Sequence, residues 1–167
     1  RAFNICLGID EKIRKKYSGE GNEAFCIEFS DVLFYQFLLS IGLMPAKSKV
    51  LGEVSIPDQY FRDFLRGYFD GDGCSYSYSD PIFPKSYRFY ISFASGREKY
   101  IEWLRNKLEE HMGIKGFINR KKKCTNIQLK YSKQEAVIIA KKMYYRTGII
   151  CLRRKRLKIA SSLKQIQ

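Results

Sequence analysis

The sequence predicts an α+β fold in which short strands alternate with amphipathic helices, and three features support this prediction. Several segments alternate apolar and polar residues with the period of two that half-buried strands require. Other segments repeat apolar residues at helical spacing, with glycines or prolines between the two kinds of segment. The 167 residues are 45% hydrophobic and 15% aromatic, which is enough for a domain with its own core.

The first third of the chain predicts two strands and one helix. The segments 5–9 and 25–29 alternate apolar and smaller or polar residues, as strands do, and a basic loop over 12–16 separates them. Asp31 is then in position to cap a helix that ends at Gly42.

A long amphipathic helix is predicted over residues 56–73. Its apolar residues recur at helical spacing, at Phe61, Phe64, Leu65 and Tyr68. Ser55 and Asp58 form a candidate capping box at its start.

The rest of the chain predicts two hairpins and three helices. In order, these are strands 74–80 and 87–94, a helix ending near Gly113, strands 116–119 and 126–131, and helices near 133–145 and 153–165.

Charge and cysteine usage narrow the partners and the setting. The chain has 31 Lys and Arg against 17 Asp and Glu, a net charge of +14. This excess favours nucleic acid as a partner, and a basic surface without a specific partner is the alternative. No membrane span or signal peptide is apparent, so no membrane partner is expected. Five widely spaced cysteines without a C-x-x-C pair predict a reducing, intracellular setting, cytoplasmic or organellar, for a protein that is not secreted.

The segment Leu65–Gly73, L-R-G-Y-F-D-G-D-G, is the strongest functional signal. Its glycines allow a second helix to approach closely because they lack a Cβ. Asp70 and Asp72 follow that seam, where a rigid carboxylate can bind a hard cation such as Mg²⁺. A sugar-nucleotide D-x-D site and a purely structural helix end are the alternatives.

This segment resembles the LAGLIDADG motif of homing endonucleases. The stretches 40–49, 56–64 and 151–158 are similar to double-motif members of the same family. The resemblance implies αββαββα repeats, a saddle-shaped antiparallel sheet over the DNA major groove, and two motif helices packed at a pseudo-twofold axis. It implies a site-specific double-strand DNA endonuclease of intron or intein mobility that uses Mg²⁺ or Mn²⁺.

The resemblance also implies roles for individual residues. Asp72 becomes a metal ligand together with the Gly71 carbonyl, and Asp70 becomes structural. The basic catalytic role falls to Arg153 or Lys155, and the polar, water-organising role to Ser95 or Arg97. For the run 153–158, a solvated helix face or a backbone contact is the alternative.

Strand residues opposite the core are expected to contact DNA, with Lys and Arg suited to guanine and Asn and Gln to adenine. Parity alone places Tyr76 and Tyr78 in the core, whereas the family register turns them to DNA. Lysines in the loops suit phosphates. The full predicted set is Tyr76, Tyr78, Lys85, Arg88, Tyr90, Ser92, Lys121, Lys122, Lys123, Asn126, Gln128 and Lys130.

An internal similarity predicts the domain organisation. Residues 25–31 resemble residues 127–133, at an offset of 102. Residues 1–52 are therefore predicted to be the C-terminal part of a first repeat, and residues 53–167 a complete repeat. The first motif would come from an upstream segment or a second chain. A catalytically degenerate DNA-binding regulator or an RNA-splicing maturase is the alternative function.

Overall fold

A computed structural model describes residues 2–17, 19, 21–43, 45, 52–83, 85–120 and 126–166. The chain forms two units, residues 1–38 and 39–167. None of the helices in these described segments has the length and apolar character that crossing a membrane requires.

The first unit contains a helix, a two-stranded ribbon and most of a second helix. These are α1 (Ala2–Leu7), β1 (Arg14–Tyr17), β2 (Glu23–Cys26) and α2 (Val32–Ser40). The two strands are antiparallel, and opposite charges face each other across them, as in the pair Lys15–Glu23 at 3.1 Å. The predicted cap of α2 is confirmed, because the Phe34 N–H donates to Asp31 Oδ1 at 2.8 Å.

Three predictions in this unit were wrong. The strand predicted over 25–29 is β2, but it runs from Glu23 to Cys26 and ends before Ile27. The segment 5–9 was predicted as a strand but belongs largely to α1. This helix ends at Leu7, and the following Gly8 has a φ of 64°. Short apolar runs do not distinguish a helix from a strand, and a glycine with positive φ is a common helix end. The basic segment 12–16 was predicted as a loop but contributes to β1. Ion pairs of Lys15 with Glu23 on the facing strand and of Arg14 with Glu28 beyond it offset the repulsion among the cations.

The second unit has a four-stranded antiparallel sheet with helices on one face. After a 3₁₀ turn (Asp58–Tyr60) come α3 (Phe61–Asp72), β3 (Cys74–Ser79), β4 (Tyr87–Ser95), α4 (Glu98–Met112), β5 (Phe117–Arg120), β6 (Ile127–Ser132), α5 (Lys133–Met143) and α6 (Arg153–Lys164). The strand order is β3-β4-β6-β5. The predicted α+β fold with an αββαββα order is therefore confirmed, followed by one further helix.

The core lies between α3, α4 and α5 and one face of the sheet. Phe89, Ile91 and Phe93 of β4 are fully buried, as predicted from their alternation with polar residues. Leu65 and Phe69 of α3 are fully buried as well. Burial of an aromatic or aliphatic side chain of this size contributes about 1.5–3 kcal/mol, so these contacts hold α3 on the sheet.

The motif helix α3 is shorter than the predicted range 56–73. It begins at Phe61, and no side-chain hydrogen bond caps the 3₁₀ turn that precedes it. Instead of a capping box, the Ser55 N–H donates to the Ile41 carbonyl at 3.0 Å. A long-range contact therefore replaces the local cap that was predicted.

The motif helix is followed by Gly73, and this position has no room for a side chain. A Cβ at this position would lie 2.6 Å from the Cα of Phe69 and 2.7 Å from its carbonyl oxygen. Contacts this short are repulsive, so the chain can turn directly from α3 into β3 only with a glycine.

Candidate functional site

Two opposite faces of the motif helix have different surroundings: one packs on the sheet, and the other is exposed. Its buried side rests on the sheet through Leu65 and Phe69. Gly67 and Gly71, four residues apart and so on one helix face, have no atom within 4 Å of where a Cβ would stand. We call these two residues the glycine stripe. They are exposed, and this leaves the helix backbone open to a close neighbour.

Asp72 is the last residue of the motif helix and is exposed. It borders a cavity of about 790 Å³ that also contains both residues of the glycine stripe, and Ser95 and Asn126 lie on the same wall. Two predicted site residues, Asp72 and Gly71, are thus brought together with the polar candidate Ser95. Asn126 was predicted only as a DNA contact.

Tyr68 forms part of the same cavity wall. Its hydroxyl donates to the Ala94 carbonyl at 2.6 Å. Burial, and secondarily the nearby Asp72 carboxylate, raises the pKa of Tyr68 well above its usual value. This phenol therefore stays protonated at neutral pH and is held as a hydrogen-bond donor beside the acidic helix end.

The C-terminal end of the motif helix is fastened by the segment that leads into α6. The Leu152 N–H donates to Asp70 Oδ2 at 2.7 Å. Lys155 Nζ donates to the carbonyls of Phe69 at 2.7 Å, Gly73 at 2.6 Å and Gly71 at 3.3 Å. The Phe69 carbonyl also accepts the Gly73 N–H at 2.9 Å, and an ammonium placed at the C-terminal end of a helix is stabilised by the helix dipole.

A second tether lies one turn earlier on the motif helix. Arg66 is buried, and it donates to the Ile150 carbonyl at 2.9 Å and the Met143 carbonyl at 3.3 Å. Its charge is paired with Asp63 at 2.6 Å. We call three sets of contacts the helix clamp. They are the hydrogen bonds of Arg66 to the Ile150 and Met143 carbonyls, the bond between Asp70 and Leu152, and the bonds of Lys155 to the carbonyls at the end of α3.

Lys155 was predicted, with Arg153, for the basic catalytic role, and the structure places it in the helix clamp. Burial, followed by the charge of Arg154, lowers the pKa of Lys155. Its ammonium also lies 5.2 Å from the centre of the Phe69 ring. The observed partners of Lys155 are carbonyls of the protein itself, and its catalytic role stays a prediction.

The other two catalytic candidates lie nearby but do not line the Asp72 cavity. Arg153 is the exposed first residue of α6. Arg97 is exposed and precedes α4, where its backbone N–H donates to Ser95 Oγ at 3.2 Å. Among the described residues, Ser95 rather than Arg97 is therefore the polar candidate that shares a cavity with Asp72.

A cationic cleft beside the helix end was missed in the sequence. Its volume is about 440 Å³, and it is lined by Gly73, Cys74 and Ser75 together with Arg154, Lys155 and Lys158. Arg154 and Lys158 belong to the run 153–158, but helical spacing alone does not show which of its cations meet β3. Three cations beside strand backbone provide a suitable environment for a phosphate.

The sheet face opposite the core, which we call the open face, contains six of the twelve predicted DNA contacts: Tyr76, Tyr78, Arg88, Tyr90, Gln128 and Lys130. Pairing of Tyr76 with Tyr90 and of Tyr78 with Arg88 places both β3 tyrosines on this face. Their rings stack on Tyr90 with centroids at 5.0 and 6.2 Å. Tyr76 and Tyr78 therefore face away from the core, as the family register has them, because Ser75 takes the buried, inward position of β3 opposite Ile91.

Lys130 lies at the centre of the open face. Its ammonium is 4.0 Å from the centre of the Tyr90 ring, 5.0 Å from Tyr76 and 5.6 Å from Phe117. Arg88 on the same face is tied to Asp80, with Nε at 2.9 Å from Oδ2. Phe117 was missed in the sequence because its strand begins there and shows no alternation before it.

Five other predicted DNA contacts are buried, lie in a loop or fall outside the described residues. Ser92 has the parity of the open face but is buried, and its hydroxyl lies 3.5 Å from the Cys74 carbonyl. Lys85 is exposed in the loop between β3 and β4. Lys121, Lys122 and Lys123 lie outside the described residues.

The donors at the helix end fit a hard divalent cation. Asp72 offers an exposed carboxylate and Gly71 a backbone carbonyl, and Mg²⁺ prefers a few such oxygens completed by water or substrate phosphates. Another group of potential ligands in the described part of the chain, Asp58, Glu110 and His111, has its donor atoms within 4.8 Å of one another. Glu110 there is already ion-paired with Lys107 at 2.8 Å. His111 stacks on Phe61, the first residue of α3, with ring centroids at 4.4 Å, so this group lies at the opposite end of that helix from Asp72.

Comparisons with known proteins agree with this architecture. The family model of the LAGLIDADG-like domain matches residues 60–146, just over half of the chain. No curated protein sequence matches the chain.

Three crystal structures of homing endonucleases resemble the chain, each at 16% sequence identity. One is I-CvuI with the I-CreI target in the presence of 2 mM Mg, with a TM-score of 0.46 over 64% of this chain and 66% of that one. Another is I-TnaI, with a TM-score of 0.46 over 63% and 71%. The third is I-CvuI with its own target in the presence of 2 mM Ca, with a TM-score of 0.47 over 64% and 66%.

The matched segment 60–146 contains the motif helix, all four strands of the sheet and the helices α4 and α5. Its motif helix ends in Asp72 beside the glycine stripe, as the sequence motif requires. The chain belongs to the LAGLIDADG family.

Proposed function

We propose that this chain is a site-specific DNA endonuclease that cuts both strands of a duplex with the help of a divalent metal ion. The observation that carries the proposal is the position of Asp72. Its exposed carboxylate stands at a clamped helix end, next to an open glycine stripe and beside a sheet whose open face presents cations and amides. The neighbouring crystal structures are named as homing endonucleases, two of them with DNA targets, which agrees with this proposal.

Asp72 and the Gly71 carbonyl would hold the metal ion, Mg²⁺ or Mn²⁺. When bound, such an ion supplies charge stabilisation to the reacting phosphate and makes a water molecule more acidic. The Ser95 hydroxyl and the Asn126 amide share the cavity with Asp72 and can orient a water there.

The helix clamp contributes by fixing geometry. Three carbonyls at the end of α3 are bound by Lys155, and Asp70 is bound by Leu152. A ligand carboxylate that follows directly on a fastened helix end cannot drift, and small displacements of reacting groups cost large factors in rate. Lys155 is accordingly a positioning residue in this proposal.

Cleavage of two strands requires a second acidic motif. The glycine stripe supports its delivery by a second motif helix, from a second copy of the chain or from another segment of the same protein. Close helix approach needs small residues on the contact face, and Gly67 and Gly71 provide them beside Asp72.

A DNA-binding protein without cleavage is the second candidate. It is favoured by the ammonium of Lys155, which lies 3.3 Å from the Gly71 carbonyl and so places a positive charge on a proposed metal ligand. Such a protein, a regulator or an RNA-splicing maturase, would bind nucleic acid in a strongly salt-dependent way.

A two-stage experiment distinguishes these functions. Duplexes bound by the protein are first selected from a randomised library, and palindromic duplexes built from the selected half-site are then incubated with Mg²⁺, with Mn²⁺ or with a chelator. Cleavage of both strands only with the metals supports the endonuclease. Selective binding with neither double-strand cleavage nor nicking of a single strand in any metal supports the second candidate.

The cellular setting is a further part of the proposal. The described cysteines Cys6, Cys26, Cys74 and Cys151 are free thiols, as in proteins of reducing compartments. We therefore propose an intracellular location, cytoplasmic or organellar.

A further inference from the structure

We infer that the β5–β6 ribbon reads two bases of the target: a guanine through Lys130 and an adenine through the amides of Asn119 and Gln128. This inference rests on the proposed DNA-binding function and deepens it, because it states which bases the half-site contains and how they are spaced. Asn119 was not recognised as a site residue in the sequence.

The position of the ribbon supports this role. The sheet order β3-β4-β6-β5 makes β5 an edge strand, and β5 and β6 form an antiparallel pair. The major groove of B-DNA accommodates a two-stranded ribbon. Side chains on the open face of this ribbon would therefore point at the edges of the bases.

Lys130 is held ready for such a contact. Three aromatic rings, Tyr90, Tyr76 and Phe117, surround its ammonium at 4.0, 5.0 and 5.6 Å. Cation–π contacts restrict the lysine chain before DNA binds, which reduces the ordering cost of recognition. Its three donors suit the O6 and N7 acceptors that guanine presents in the major groove.

Arg88 differs from Lys130 in its electrostatic partner. It pairs with Asp80, whose other carboxylate oxygen accepts the N–H groups of Ile82 and Phe83. An arginine with its charge already paired gains less from a base than an unpaired lysine does. In the described part of the chain, Lys130 has no carboxylate partner, so it is the stronger reader of the open face.

The amides form a pair across the two strands. Asn119 lies directly opposite Gln128 in the β5–β6 register, and both are half-buried. Directly opposed residues have Cβ atoms about 5 Å apart, so the two amides can act on the same base pair. An amide presents a donor and an acceptor together, which matches N7 and N6 of adenine.

The spacing of the two readers predicts the spacing of the bases. Gln128 and Lys130 are two residues apart on β6, a distance of about 6.7 Å along a strand. Successive base pairs rise by about 3.4 Å. Where the strand follows the groove, the adenine and the guanine are therefore separated by one base pair.

The test is selection from a randomised duplex library with the full chain, followed by sequencing of the bound DNA. Three variants are compared with the wild type. These are Lys130→Met, the double change Asn119→Ala with Gln128→Ala, and the control Lys142→Met, an exposed lysine in the last turn of α5. Thermal unfolding of each variant establishes that it is folded.

The inference predicts an adenine and a guanine with one base pair between them in the wild-type site. Lys130→Met should lower the preference at the guanine alone by about 5–100-fold, the range for loss of one good base contact. The amide double variant should do the same at the adenine, and Lys142→Met should leave both unchanged.

Two results would overturn the inference. If Lys130→Met weakens binding equally for all sequences and lowers the salt dependence by about one ion, Lys130 contacts a phosphate and the base assignment is wrong. If the wild type selects a defined site without this pair of bases, the inference fails while the proposed function stands. If the wild type selects no sequence, the proposed function itself fails and the inference with it.

Discussion

The Leu152 N–H and the Asp70 carboxylate, 82 residues apart in sequence, meet in a hydrogen bond of 2.7 Å. This contact joins the motif helix to the segment before α6. It assigns Asp70 a structural role in the helix clamp and leaves Asp72, two residues later, free for chemistry. The two aspartates of the D-G-D sequence thus have different surroundings and are expected to respond differently to substitution.

Replacement of Asp70 by Ala should reduce the free energy of unfolding. The Leu152 N–H would lose a charged acceptor, and the loss of one such bond costs about 1–2 kcal/mol. The measurement is chemical denaturation beside the control Glu102→Ala, at an exposed position of α4. Equal stabilities of the two variants would contradict the structural role of Asp70.

Replacement of Lys155 by Met should loosen the end of the motif helix. Methionine keeps the length and apolar stem of the side chain but removes the ammonium donor from the carbonyls of Phe69 and Gly73, so that Phe69 keeps only the Gly73 N–H. A decrease in unfolding free energy of about 1–3 kcal/mol is expected. The control Lys142→Met should change it by less than about 0.5 kcal/mol.

A second measurement on Lys155→Met separates positioning from chemistry. A positioning role predicts that lowering the temperature restores the loosened helix end. The cleavage rate of the variant, expressed as a fraction of the wild-type rate at the same temperature, should then rise. A cleavage rate that stays abolished in a variant with wild-type stability would instead assign the lysine a direct catalytic role.

Replacement of Tyr131 by Phe should stabilise the protein slightly. The Tyr131 hydroxyl is buried without a hydrogen-bond partner among the described residues, so its removal eliminates a desolvation cost of up to about 1 kcal/mol. A clear decrease in melting temperature would show that the hydroxyl has a partner after all.

The same substitution should alter the alkaline limb of the stability curve. Burial raises the pKa of Tyr131 above its ordinary value of 10.0. The folded state therefore keeps a proton that the unfolded state releases above pH 10, and stability falls as pH rises through this range, by about 1.4 kcal/mol per pH unit for each such tyrosine. Tyr131→Phe removes one such group, so its unfolding free energy should fall less steeply between pH 10 and about pH 11.5.

Much of the second unit could be predicted because each element carries its own signal. Alternation in β4 predicted which residues are buried, and the glycine at position 113 marked the end of α4. The prediction of a strand over residues 5–9 was wrong for the opposite reason, since a short apolar run fits both the helical and the strand period. The predicted start of the motif helix was wrong because the Ser55 N–H donates to the Ile41 carbonyl, a contact that no local sequence pattern encodes.

The candidate site divides in the same way. Asp72 and Gly71 could be predicted because the motif lies within one continuous helix. The helix clamp brings Lys155 to carbonyls more than eighty residues away, and its role depends on tertiary packing. Asn119 was missed because its position opposite Gln128 depends on the register of two strands joined by a loop, which residue spacing does not determine.

The glycine stripe should respond to side-chain size without loss of folding. Gly67→Ala and Gly67→Leu meet open space in the single chain, and each replaces a poor helix former, so stability should rise by about 0.5–1 kcal/mol. Cleavage of a duplex should decline with size, Leu more than Ala, because the second motif helix is kept away. Wild-type cleavage by a folded Gly67→Leu variant would contradict this use of the stripe.

The central claim is that Asp72 is the metal-binding carboxylate of a DNA-cleaving site. The direct measurement is metal-dependent double-strand cleavage of a selected palindromic duplex by the wild type, by Asp72→Asn and by the matched control Asp10→Asn, with binding of the same duplex recorded in parallel. The account predicts that Asp72→Asn binds the duplex but no longer cleaves it in Mg²⁺ or Mn²⁺, whereas Asp10→Asn retains both properties. Undiminished cleavage by Asp72→Asn would contradict it.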